Sequence, residues 1–312
     1  LTLPAWRRLT TDHPFSLESL RETLLGGQAF RWFSLPEEDA WIGVWQQSVA
    51  ALRLTHDGGL ETAMWGGPED HALVLDYLGL DRHRQWIGKL PLSSDAVVAR
   101  LAKRWHGVVI LRQPPAETLL AYICSANKQI PHIRGMLEAL SQRFGPTIPG
   151  TPFHALPDWA TLARSNEADL RACQLGYRAP YVLACARRLT DHPSLLAELL
   201  PLPTAEARER LLRLPGVGPK VADCVLLFGF GRADTFPVDT WIDRALRCNY
   251  PDLGNWSRSH LATFARLHFG PAGGLVQQWF FADARANSRK AAAQSSRSEK
   301  RVDNPPAIIN VP

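Results

Sequence analysis

The sequence predicts an α+β fold, with an N-terminal antiparallel β-sheet domain followed by an all-helical domain. Three observations carry that prediction. Between residues 28 and 67 the apolar residues come in short runs, rich in tryptophan and β-branched side chains and broken by turn residues. From Pro114 onward they recur at helical spacing instead. Clusters of glycine and proline at 145–152, 176–180 and 191–193 then separate one helix from the next. The boundaries this sets are 1–113 for the sheet domain, 114–287 for the helical domain and 288–312 for a polar tail.

The elements follow in order. Ser16 is placed to cap a helix, and Phe15 to staple onto Leu20. Leu17, Leu20, Leu24 and Leu25 form its apolar stripe, and Gly26-Gly27 stop it. QAFRWF, AWIGVWQQ, SVAALRLTH and GLETAMWGG then read as strands, with Asp57-Gly58-Gly59 as a hairpin turn. Helices are expected near 68–78 and 94–105, and a further strand at GVVILRQ (107–113). The helical part is expected to run through 116–126, 130–144, 158–164, 167–175, 179–190, a hairpin pair, 240–247, 257–269 and 274–286. The tail SRKAAAQSSRSEKRVDNPPAIINVP is polar, charged and proline-bearing, and is expected to be disordered.

The hairpin pair is the most informative stretch. Leu211, Leu212 and Leu214 close one helix, Pro215-Gly216-Val217-Gly218 turns, and Pro219 opens a second helix that is apolar almost all round. Such a turn leaves backbone N–H groups free at a helix N-terminus, where the dipole favours an anion such as a phosphate. Lys220 sits in the first turn of that second helix. An amine placed at a helix N-terminus among apolar side chains is held nearer its nucleophilic form. There it can attack a sugar C1′ to form a Schiff base. Asp239, nineteen residues on, offers a carboxylate to stabilise a cationic sugar and move protons. Taken singly, Lys220 reads as a surface lysine and Asp239 as the N-cap of the helix at 240–247. Only the combination points to chemistry.

Composition bounds the rest. The chain of 312 residues has room for two domains. Its net charge of +5 is concentrated in residues 285–312, which hold six basic and two acidic residues, so the remainder is close to neutral. A nucleic-acid footprint must therefore come from segregation of charge rather than from bulk excess. No apolar run is long enough for a membrane span, and LTLPAWRRLTTDHPF holds no hydrophobic signal core. The expectation is a soluble intracellular monomer with no membrane partner. Its location would be cytoplasmic or at the nucleoid in a bacterium, and nuclear in a eukaryote. The five cysteines are scattered, with no CxxC pair to suggest zinc or a disulfide framework.

Seven segments in order carry a resemblance: GGQAFRW (26–32), ILRQPP (110–115), YICSANKQI (122–130), LGYRAPYV (175–182), LPGVGPKVADC (214–224), PVDTW (237–241) and GLVQQWFFADAR (274–285). On these the chain resembles the helix-hairpin-helix glycosylases, and closely their 8-oxoguanine DNA glycosylase branch, over about residues 5–287. The resemblance implies a bifunctional glycosylase and AP lyase of base excision repair, with damaged double-stranded DNA as its partner. It casts Lys220 as the Schiff-base nucleophile and Asp239 as the catalytic carboxylate. Gly27 becomes the glycine whose carbonyl accepts the N7 hydrogen that 8-oxoguanine has and guanine lacks. Cys224 and Phe281 would sandwich the flipped base, and Gln277 would read its pairing edge. Asn127 would fill the gap in the duplex, Tyr177 would wedge it open, and Arg178 would contact the orphaned cytosine. Gly216 and Gly218 would meet a phosphate.

The chain departs from the family pattern in three places. Asn127, Lys128 and Gln129 stand where the animal enzymes have a run of asparagines. His132 stands where an arginine commonly contacts the opposite cytosine, and Trp241 where a histidine commonly contacts the backbone near the lesion. The departures imply weaker preference for cytosine opposite the lesion. Only Cys248 follows Asp239, so no iron–sulfur cluster is expected. No cofactor is implied beyond a monovalent cation at the hairpin carbonyls of Leu214 and Val217. Two other readings compete with this one. A monofunctional alkylbase glycosylase of the same fold usually lacks the lysine. A non-catalytic hairpin module that only grips DNA needs neither Lys220 nor Asp239.

Overall fold

In the computed structural model, residues 2–65 and 71–302 are described, with side chains as far as residue 291. The sheet domain begins with β1 (Arg7–Arg8) and α1 (Leu17–Leu25). The strands β2 (Trp32–Leu35), β3 (Ala40–Trp45), β4 (Ser48–Leu54) and β5 (Leu60–Trp65) follow. The five-stranded sheet has the order β1-β5-β4-β3-β2 and every pairing is antiparallel. Ser16 caps α1 as expected, in a reciprocal capping box with Ser19. Leu20 and Leu24 are fully buried, but Leu17 is 62% exposed and does not belong to the stripe.

Both faces of this sheet are covered. Trp32, Trp45 and Leu52 pack on one side with Leu20, Leu24 and Leu78. Ile42, Val44, Val49 and Ala51 pack on the other with Ile148 and Ala155. Those last two come from the Gly/Pro-rich segment after Phe144, which is pinned back by the bridge between Thr147 and His154. Every residue of β3 is therefore buried, which explains why AWIGVW reads as a continuous apolar run rather than an alternating one.

The helices α2 (His71–Leu78), α3 (Leu80–Ile87) and α4 (Ala96–Trp105) complete the first part. The helix expected near 68–78 is α2, described from His71 on, with residues 68–70 outside the described residues; β1 and α3 were not anticipated. The expected strand at 107–113 is absent, although Val108, Val109, Ile110 and Leu111 are fully buried. Its backbone partners are elsewhere. Val109 N–H donates to Thr23 Oγ1 (3.2 Å), Leu111 N–H to Gln28 Oε1 (2.9 Å) and Arg112 N–H to the Tyr77 carbonyl (2.7 Å). A buried side chain, Gln28, thus replaces a neighbouring strand.

The helical part comprises α5 (Pro115–Cys124), α6 (Ile130–Phe144), α7 (Trp159–Arg164), α8 (Glu167–Ala172), α9 (Ala179–Asp191), α10 (Leu195–Glu198), α11 (Thr204–Leu212), α12 (Pro219–Cys224), α13 (Thr240–Asn249), α14 (Arg258–Phe269) and α15 (Gly273–Val302). Directly after α12 the chain widens into one π-turn, Val225–Gly229, so the apolar helix expected to run through Phe228 changes pitch at Val225. One large core joins these helices and draws in Val98, Leu101 and Trp105 of α4. Asp283 on α15 fixes that junction by accepting from Trp105 Nε1 and from Arg104, both at 3.0 Å.

The tail is corrected in part. The helix α15 continues to Val302, well into the stretch expected to lack regular structure. The segment after Asn287 contains three consecutive alanines with lysine, arginine and glutamine, all good helix formers, and it extends a helix that is already nucleated. The remainder, 303–312, lies outside the described residues. Among the described residues no helix is long and apolar enough to cross a membrane.

Candidate active site

The helix-hairpin-helix is formed as the sequence predicts, by α11, the turn and α12. Gly216 has φ +79°, and a Cβ there would stand 2.8 Å from Tyr181 Cβ, so the position demands glycine. The turn closes through Val217 N–H on the Leu214 carbonyl at 3.1 Å. Gly218 is the N-cap of α12 and has no side chain to cap the first turn. Below the turn, Arg208 and Asp223 join the two helices at 2.6 Å; Asp223 is 3% exposed, and its burial pushes the carboxyl up while Arg208 opposes the shift.

Lys220 is carried by the first turn of α12 into a pocket of about 400 Å³. Its Nζ donates to Ser125 Oγ at 3.3 Å and lies 4.9 Å from the centre of the Tyr122 ring. Asp239 lines the same pocket from the start of α13. It is the N-cap of that helix, with Oδ1 accepting the Ile242 N–H at 2.9 Å. The structural role and the candidate chemical role thus fall on one residue, and the cap fixes where the carboxylate points.

The facing wall is built to hold a flat polar group. Gly27 has φ +90°, and a Cβ there would lie 2.9 Å from Ile130 Cδ1 and 3.4 Å from Phe281 Cε1. Gln277 is 5% exposed and its Oε1 has no partner, which is costly unless a ligand supplies a donor. Phe281 sits one turn further along α15, with Trp241 edge-on at 6.4 Å. Cys224, on α12 one turn beyond Lys220, lines the same cavity, and burial pushes its thiol up to about 12. Every residue expected to bind the base, together with Lys220, Asp239 and Trp241, therefore lines one cavity.

Sequence reasoning missed several members. Tyr122 and Ser125 occupy the floor beside Lys220, and Gln278 joins Gln277 with its own amide Nε2 buried and unpartnered. Arg285 reaches the rim, 5.9 Å from the Phe281 ring, and bonds Glu22 at 3.1 Å. The segments YICSANKQI and GLVQQWFFADAR contain all four of these, but nothing in their spacing separates them from core residues.

The outer face presents Asn127, His132 and Tyr177, all exposed. Asn127 holds the left-handed region at φ +52° and its Nδ2 donates to the Tyr177 hydroxyl at 3.3 Å. Tyr177 and Tyr181 are about half exposed and share a groove with the Gly216–Gly218 turn. Arg178 requires a correction. It is 2% exposed, its Nε and Nη2 donate to the Ala126 carbonyl, its Nη1 donates to the Leu175 carbonyl at 3.2 Å, and Tyr177 covers its guanidinium at 4.3 Å. In this structure it is a strut under the Asn127 turn, not an exposed contact for the opposite base. Its charge made it read as a surface residue, and three carbonyl-directed donors are what pay for its burial.

Known proteins bear on this geometry. Residues 14–119 match the 8-oxoguanine DNA glycosylase N-terminal domain, and residues 120–255 match the HhH-GPD superfamily base excision DNA repair protein. The N-glycosylase/DNA lyase of Saccharomyces cerevisiae is 33% identical over 268 residues, covering 78% of this chain and 70% of the yeast protein. A probable N-glycosylase/DNA lyase of Methanothermobacter thermautotrophicus is 33% identical over 198 residues, 57% of this chain and 63% of the archaeal one. The chain thus spans somewhat less than two thirds of that archaeal relative. A crystal structure of the Clostridium acetobutylicum 8-oxoguanine glycosylase/lyase, bound to double-stranded DNA with cytosine opposite 8-oxoguanine, superposes with a TM-score of 0.77 at 29% identity. That match covers 86% of this chain and 92% of the clostridial one. With a matching N-terminal domain, a matching hairpin domain and a lysine and aspartate set in one pocket, the chain belongs to the 8-oxoguanine DNA glycosylase branch of the HhH-GPD superfamily.

Proposed function

We propose that this chain is a bifunctional DNA glycosylase and AP lyase that excises 8-oxoguanine from duplex DNA. The observation that carries the reading is the single cavity shared by Lys220, Asp239, Gly27 and Gln277. The target base leaves the stack and enters this cavity, with Phe281 as an apolar face and the Gln277 amide as an edge reader. The Gly27 carbonyl accepts the N7 hydrogen of the oxidised base and meets a lone pair on guanine. Asp239 stabilises the positive charge that develops on the sugar as the glycosidic bond breaks. The Lys220 amine bonds to C1′ as the glycosidic bond breaks and the base departs with a proton. The C1′–O4′ bond then opens, O4′ taking a proton, to give the Schiff base, from which C2′ loses a proton so that the 3′ phosphate is eliminated.

Asn127, Tyr177, His132 and the Gly216–Gly218 turn form the DNA-facing surface in this reading, and the protein acts as a monomer. A monovalent cation at the Leu214 and Val217 carbonyls belongs to the same proposal. The turn curls there, with the Val217 N–H on the Leu214 oxygen, and no step above passes through the ion. Borohydride reduction during reaction with an 8-oxoguanine duplex tests the reading. Wild type is expected to form a covalent protein–DNA complex, and Lys220→Gln to bind the lesion without trapping or base release. Base release by Lys220→Gln at the wild-type rate would show that water, not the lysine, is the nucleophile.

A further inference from the structure

The Gly27 carbonyl has a partner that sequence reasoning did not identify. The Tyr122 hydroxyl lies 3.1 Å from Gly27 O and 3.3 Å from Gln28 O. Both are carbonyls, which only accept, so the tyrosine must donate. It has one proton. The Gln28 oxygen already receives the Gln113 side-chain amide at 2.7 Å, so the nearer and otherwise less satisfied Gly27 oxygen takes it. Tyr122 is 2% exposed, stacked on Phe228 at 5.6 Å and edge-on to Phe30 at 5.5 Å, so its hydroxyl is fixed in place. Burial, then Cys224 and Asp239, push that hydroxyl up from its ordinary titration range, which favours the protonated, donating form.

We infer that Tyr122 is a positioning residue for lesion selection, its hydroxyl holding the Gly27 carbonyl on the line where N7–H of the oxidised base must arrive. The inference rests on the role proposed above for Gly27. Gly27 follows the end of α1 in a conformation open to glycine alone, and a peptide there is free to rotate unless its oxygen is tethered. A carbonyl oxygen has two lone pairs, so one can be held by Tyr122 while the other faces the cavity. The tether costs nothing at the moment of recognition, because donor and ring are already packed. It also ties selection to chemistry, since the same ring lies beneath Lys220.

Tyr122→Phe removes one oxygen and keeps both ring contacts. Equilibrium binding is measured in a Lys220→Gln background for three duplexes, carrying 8-oxoguanine, guanine or a stable abasic analogue at the same position. Tyr122→Phe is expected to lower the preference for 8-oxoguanine over guanine by about tenfold, the scale of one net hydrogen bond. The loss on 8-oxoguanine should exceed the loss on the abasic duplex, which offers no base to read. An unchanged preference for 8-oxoguanine over guanine overturns the inference. Equal losses on the 8-oxoguanine and abasic duplexes overturn it too, because the hydroxyl would then support DNA binding in general. If the Lys220→Gln protein with Tyr122 intact shows no preference for 8-oxoguanine, the proposed function fails, and the inference fails with it.

Discussion

Glu22 gives a sharp test of how the pocket wall is held. It lies on α1 four residues before Gly26, and Gly26 N–H closes the helix on the Glu22 carbonyl at 2.9 Å. Its side chain is 1% exposed, with Arg285 at 3.1 Å and Arg289 at 2.7 Å, both from α15. Arg285 and Arg289 are 24% and 34% exposed. The exposure is unequal, so the cost of breaking the cluster should be unequal too. Glu22→Gln leaves two cations that can turn toward water, and should destabilise by about 1–2 kcal/mol, the scale of charge-assisted hydrogen bonds. Arg285→Met with Arg289→Met strands a carboxylate inside the protein and should cost about 3–5 kcal/mol. Urea unfolding at pH 7, with midpoints compared at equal slope, separates these values. If Glu22→Gln costs as much as the double arginine change, the charge of Glu22 is not what the cluster stabilises, and the reasoning from burial is wrong.

Two further outcomes follow from the same structure. His83 is 2% exposed and edge-on to His13 at 4.9 Å; burial, then His13, lowers it to about 3, and burial lowers His13 as well. The unfolded chain takes up these protons below about pH 6.5 and the folded one does not, so stability is complete above that value and lost as the pH falls toward 3. At pH 5 the His83 share is about 2 kcal/mol, and His83→Phe should flatten the fall in melting temperature between pH 7 and 5; an equally steep fall would remove His83 as its source. The opposite base is the other case. Arg178 is buried against backbone carbonyls, and the exposed His132 on the first turn of α6 carries no guanidinium. A lost bidentate contact is worth about 1–3 kcal/mol, so single-turnover excision opposite cytosine should exceed that opposite adenine, guanine or thymine by less than about tenfold, and a steep preference for cytosine would refute it.

The parts of this site that were legible in the sequence share a physical origin. Gly27 follows the end of α1, Lys220 opens α12, Asp239 caps α13 and Trp241 lies in its first turn. Helix ends are where backbone donors and acceptors remain free, and proteins mark them with glycine, proline and capping residues. A site assembled from helix ends therefore announces itself in glycine–proline punctuation, as LPGVGPK and PVDTW do. The roles of Gly27 and Trp241 come from the resemblance, as do those of Gln277 and Phe281, which lie within α15, where nothing local distinguishes them from core.

What stayed hidden was the set of connectors. Tyr122, Glu22, Arg178 and Gln28 each join segments far apart in the chain: Tyr122 to Gly27, Glu22 to Arg285, Arg178 to Ala126, Gln28 to Leu111. Their identities suggest solvent-facing or ordinary core side chains, and their partners are set by tertiary packing alone. The same logic explains the misread strand at 107–113, whose apolar pattern was correct but whose hydrogen bonds go to side chains. It explains Arg178 too, since a guanidinium can be buried wherever carbonyls converge, and no local pattern reports that convergence. The helix ends thus supply the groups that meet DNA and the base, while the buried connectors set the distances between them. Changes at the first kind should abolish a step, and changes at the second should degrade selectivity or stability while leaving the step in place.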